Sequence, residues 1–161
     1  MEFLLDASAQ QVRERCPGAT VVVSPHHVTA AAAAGAERII SVAGYPTGRH
    51  HSLIKASEAR LAVQSGAAEV WVAVDALLDS ATSLLSELIT IREACPPPVR
   101  LGLITAQPQQ AQVAEKAGYD VIVAPAGTQD AQGAEGALGS SLPVVRLPSA
   151  HLPIVRGHSS D

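Results

Sequence analysis

Six short apolar runs recur along the chain, and most are followed by a stretch patterned for a helix. The runs are ATVVVS (19–24), RIISVAG (38–44), EVWVAVD (69–75), VRLGLIT (99–105), DVIVAPAG (120–127) and LPVVRLP (142–148). Between them lie VTAAAAAG, SLIKASEARLAVQSG, a helical pattern within 79–95, and PQQAQVAEKAG. Apolar runs of strand length alternating with helical periodicity specify right-handed β-α-β units, and hence a parallel sheet covered by helices. Hydrophobic residues make up 47% of the chain and aromatic ones 2%, so the core must be built from Ala, Val, Leu and Ile. That mixture suits strands buried on both faces.

The 161 residues suit one domain. We expect an α/β domain over 1–148 and a Pro-, His- and Ser-containing tail over 149–161. Ser52 or a neighbour is expected to cap the helix that follows the second run, and Pro96 to Pro98 mark a rigid turn. The Gly-, Ala- and Ser-rich stretch 128–141 reads as a weak helix or a loop. A net charge of −4 without Lys/Arg clusters argues against a nucleic-acid partner. No apolar run approaches the ~20 residues of a membrane span, and MEFLLDASAQQ lacks the pattern of a secretory signal. Cys16 and Cys95 read as buried free thiols, which fits a cytoplasmic location.

In parallel sheets the chemistry gathers at the carboxyl ends of the strands. That rule selects Ser24, His26 and His27; Tyr45, Thr47, Arg49, His50 and His51; Asp75; Thr105; Gly127 and Thr128; and Arg146. The turns GYPTGR and APAGT suit an anion, because glycines such as Gly44, Gly48 and Gly127 let the backbone approach it and Arg49 adds charge. The same glycines also serve as plain turns. His50 or His27 with Asp75 would make an acid–base pair, the only catalytic candidates the residues offer. The two histidine pairs with Asp75 would supply ligands to a metal, but loop histidines without one are commoner, so neither a metal nor a cofactor is expected.

GYPTGRHHSLIKASEARLAVQSGAAEVWVAVDALL (44–78) resembles the deoxyribose-phosphate aldolases, class I aldolases on a (β/α)8 barrel. GYPTG is similar to the family's Phe-Pro-His-Gly turn, and Lys55, Glu58, Ala59, Arg60 and Gly66-Ala67 match its next helix. LLDASAQQVRERC, VVVSPHHV, VRLGLIT and AEKAGYDVIVAPAGT resemble further segments in the family's order, so the likeness covers about residues 4–128. It implies cleavage of 2-deoxyribose 5-phosphate to acetaldehyde and glyceraldehyde 3-phosphate, through a Schiff base on a lysine of the sixth strand. An aspartate of the fourth strand and a lysine of the seventh assist.

Carried across residue by residue, that machinery is replaced. The Schiff-base position is Val123 and the aspartate position is Trp71. On the fifth strand a lysine becomes Arg100 and a glutamate becomes Ile104; the seventh-strand lysine becomes Arg146. The two lysines, Lys55 and Lys116, fall inside helical patterns and read as solvated. The resemblance thus implies a divergent, shortened relative without Schiff-base catalysis. Its candidate sugar-phosphate contacts are Tyr45, Thr47, Gly48, Arg49, Thr105, Gly127, Thr128 and Arg146. A lyase using another group, and a non-catalytic partner-binding domain, remain open alternatives. A closed barrel usually takes ~250 residues. The expectation here is an incomplete TIM-barrel-like sheet of about six strands, whose open edges are covered by the termini or by a second copy of the chain.

Overall fold

The structure, a computed structural model, describes residues 1–127 and 138–148. Among the described residues, seven strands form one sheet: β1 (Glu2–Leu4), β2 (Thr20–Val23), β3 (Arg38–Ala43), β4 (Glu69–Ala73), β5 (Arg100–Ile104), β6 (Val121–Pro125) and β7 (Val144–Leu147). They lie in chain order and every neighbouring pair is parallel. Helices α1 (Ala9–Arg15), α2 (Val28–Ala33), α3 (Ser52–Ser65), α4 (Ala81–Ala94) and α5 (Pro108–Lys116) provide the crossovers from β1 through β6. The six apolar runs correspond to β2 through β7. The additional strand, β1, has three residues, too few to show an alternation, and is held by pairing with β2 from Glu2↔Val21 to Leu4↔Val23.

Period-two alternation sorts the strand side chains onto two faces. Val21, Val23, Ile39, Val70, Val72, Leu101, Leu103 and Ile122 pack beneath the helices in the larger buried cluster. Val22, Ile40, Val42, Trp71, Val121, Val123 and Leu147 form a second cluster on the opposite face, with Phe3 against it. The sheet curls around this second cluster as an incomplete TIM-type barrel. Strands three places apart in a flat sheet would be separated by about 14 Å. Phe3 of β1 and Trp71 of β4 nevertheless bring their ring centroids to 6.3 Å.

The helices follow from their apolar stripes and caps. In α4, Leu84, Leu88 and Ile91 are buried, and Ser80 caps the first turn by accepting from the Ser83 amide at 3.2 Å. The cap of α3 is His51, whose Nδ1 accepts from the Leu53 amide at 3.2 Å, so it falls one residue before Ser52. The buried stripe of α3 is Lys55, Ala56, Ala59 and Ala62, and its small residues let the helix lie close to the sheet.

Lys55 corrects the sequence reading. Lys116 is exposed as expected, but Lys55 is completely buried. It donates to the Ala73 carbonyl at 3.0 Å and forms an ion pair with Glu87 of α4. Its polar character concealed its place on the inward stripe. Cys16 and Cys95 are both buried and unpaired, as expected.

Candidate ligand cleft

The turn after β3 is shaped by two glycines. Gly44 and Gly48 have φ of +67° and +68°, a region that L side chains enter at a cost, and the Gly48 amide donates to the Gly44 carbonyl at 2.8 Å. A Cβ on Gly48 would stand 2.2 Å from the Val74 carbonyl carbon. The turn therefore lies flush against the end of β4, and only glycine permits it. Glu58 of α3 anchors its start by accepting from the Gly44 amide at 2.8 Å.

This close approach leaves a cleft of about 590 Å³ across the carboxyl ends of β3 to β6. Tyr45, Thr47 and Arg49 line it from the glycine turn, Ala73, Asp75 and Leu77 from β4 and its loop, and Ile104, Thr105, Gln107 and Gln110 from β5 and α5. Arg49 Nε stands 3.4 Å from Asp75 Oδ1 across the opening. The Asp75 carboxyl is held below its ordinary value, chiefly by the Leu77 amide that donates to it at 3.0 Å; burial opposes this, and the charge and hydrogen bond of Arg49 reinforce it.

A polar network fixes the other wall. The Thr105 hydroxyl donates to Gln110 Oε1 at 2.7 Å and accepts from the Gln107 amide at 3.0 Å. Gln110 Nε2 donates to the Asp75 carbonyl at 3.2 Å, and Gln107 Nε2 to the Ala76 carbonyl. The buried Gln110 thus ties the loop after β4 to α5. The cleft offers a guanidinium, hydroxyl and amide donors and an apolar floor; no lysine lines it.

Toward the amino ends of the strands, the interior is filled. Trp71 is fully buried and donates from Nε1 to Glu69 Oε1 at 2.8 Å. Glu69, itself buried, also takes Arg38 at 2.7 Å and lies 3.7 Å from Arg100. Gly102 stands opposite Trp71 in the register, and a Cβ there would be 2.7 Å from the indole Cδ1. Val123, also fully buried, belongs to the same apolar cluster.

The structure brings together Tyr45, Thr47, Arg49, Asp75 and Thr105, with Gly48 shaping their turn. His50 and Gly127 are exposed and do not line the cleft, and Thr128 lies outside the described residues. Asp75 is paired with Arg49, so the geometry favours an ion pair over an acid–base couple with His50. Arg146 is displaced from the expected position. Val145 and Leu147 pack with the inner cluster, so Arg146, opposite Ala124, projects from the other face.

His26 and His27 lie in a short 3-10 turn with ring centroids 3.8 Å apart, and His51 is committed to its cap. Among the described residues, no group of three or more His, Cys, Asp or Glu is placed to hold a metal. Gln107 and Gln110 escaped the sequence reading, because glutamines after a strand carry no motif. The one signal was Pro108, which marks a helix start and places Gln107 at its cap.

No family model matches the chain. A deoxyribose-phosphate aldolase of Corynebacterium jeikeium (strain K411) is 53% identical over 70 residues, which are 42% of this chain and 28% of the relative. One from Nocardia farcinica (strain IFM 10152) is 38% identical over 107 residues, covering 60% of this chain and 48% of the relative. The chain thus matches less than half the length of these curated relatives. Among solved structures, the aldolase QR15 superposes with a TM-score of 0.65 at 22% identity, over 76% of this chain and 63% of that one. The tetrameric deoxyribose phosphate aldolase of Aeropyrum pernix gives 0.64 at 21%, over 76% and 61%. At such identities the structural likeness concerns the fold.

Proposed function

For this chain, a divergent relative of the deoxyribose-phosphate aldolases, we propose a binding role: it takes a small sugar phosphate in the cleft and does not turn it over through a Schiff base. The observation that supports this reading is the filled interior, in which Trp71 and Val123 are fully buried in one apolar cluster at the positions where the sequence resemblance implies an aspartate and a lysine. An amine attacks a carbonyl only when neutral and within reach. Of the two lysines, Lys116 ends α5 and Lys55 is sealed in the helix layer against Glu87. Neither lines the cleft.

Binding draws on what remains. Arg49 supplies the charge for a phosphate and the glycine turn supplies close backbone approach. Thr47, Thr105 and Gln107 would meet sugar hydroxyls. Such a subunit would serve in regulation or assembly, with the sheet edges at β1 and β7 covered by the termini or by a second copy of the chain.

The test is intact-mass spectrometry after incubation with 2-deoxyribose 5-phosphate and borohydride, alongside calorimetric titration with the same compound. The expected result is measurable binding, weakened in Arg49→Ala, with no reduced adduct. A lysine adduct would overturn the loss of Schiff-base chemistry, and absence of binding in the folded protein would overturn the ligand assignment.

A further inference from the structure

Three separate pieces of the fold meet on Lys55. Its ammonium donates to the Ala73 carbonyl at the end of β4, at 3.0 Å, and pairs with Glu87 on α4. Its aliphatic stem fills the space beside Gly44, where an added Cβ would stand 2.8 Å from Lys55 Cδ. Gly44 opens the turn that carries Arg49, and Ala73 lies two residues before Asp75. Gln110 holds the same end of β4 from the other side, through the Asp75 carbonyl.

A buried ion pair is a poor device for stability alone. Desolvation offsets most of the Coulomb attraction, and an apolar pair of similar volume often serves as well. What an apolar pair lacks is a donor that fixes the direction of a carbonyl. We propose that Lys55, paired with Glu87, is a positioning residue for the cleft. It sets the end of β4 against the Gly44–Arg49 turn so that Arg49 and Asp75 face each other across the opening. This rests on the reading of the cleft as a ligand site.

The test compares Lys55→Met/Glu87→Met, Lys55→Arg and the unaltered chain by thermal unfolding, titration with 2-deoxyribose 5-phosphate, and amide NMR of residues 44–49 and 75–77. The double variant should stay folded while its affinity falls by about tenfold or more, since small misplacements in a site are costly. Its amide resonances over those two segments should shift or broaden, and Lys55→Arg should restore both properties. A double variant that keeps wild-type resonances and affinity would overturn the proposal, because the pair would then be packing alone. One that cannot fold would also overturn it, because the pair would be holding the fold and not the site. If the unaltered chain does not bind the sugar phosphate, the ligand assignment fails, and the NMR comparison still decides the positioning role.

Discussion

Trp71 and Gly102 are matched residues, and neither makes sense alone. An indole on a central strand of a curled sheet needs a neighbour without a side chain, which Gly102 provides. Gly102→Ala would drive a methyl against both Trp71 Cδ1 and Val121 Cγ1, each 2.7 Å away. Overpacking of this kind costs about 1–3 kcal/mol, readable as a lower urea midpoint with an unchanged slope. Trp71→Ala should cost ~3–5 kcal/mol through the cavity it leaves. Because the residues touch, the double variant should lose less than the sum of the two; strict additivity would refute the pairing. The sequence disclosed Trp71 as a core residue, since it stands in an unbroken apolar strand. It did not disclose the Glu69 carboxylate that receives the indole N–H, because two residues along a strand share a face only once the strand is known.

At the scale of elements, the apolar runs made β2 to β7 legible, because strands buried on both faces leave a continuous signature. What failed was the reading of single polar residues within elements. Lys55 looked solvated because lysine usually is; burial required Glu87 from a helix about thirty residues away. Arg146 entered the candidate list through its place near the carboxyl end of the last apolar run, and again through the family resemblance. Strict alternation with Val145 and Leu147 already puts it on the opposite face. The cap of α4, Ser80, was not named from the sequence, and it gives the cleanest test at this scale. Ser80→Ala removes the acceptor for the Ser83 amide and should cost about 1 kcal/mol, whereas Ser80→Asp should retain most of it. Equal losses in both variants by urea unfolding would show that the cap contributes nothing specific.

At the scale of the whole molecule, burial makes stability depend on alkaline pH. The thiols of Cys16 and Cys95 are pushed above their ordinary 9.0 by burial, and the Tyr119 phenol is pushed well above 10.0 for the same reason. Tyr119 also donates its hydroxyl to the Leu88 carbonyl at 3.3 Å, which ties the β6 approach to α4. In each case the unfolded chain loses its proton first as pH rises, so the folded state binds more protons and stability must fall. The contribution is complete below the unfolded values and is lost as pH climbs through 9 and beyond toward the folded ones. Urea midpoints should therefore hold up to about pH 8.5 and decline between about pH 9 and 11. Tyr119→Phe should flatten the upper part of that decline at the expense of one hydrogen bond, and an unchanged slope would remove Tyr119 from the account. The same burial predicts that neither thiol reacts with an aromatic disulfide in the folded protein at pH 8. Both should react on unfolding, at a rate that follows the urea curve. Fast labelling of Cys95 in the native state would mean that α4 opens locally, and the wall that Glu87 provides for Lys55 would open with it.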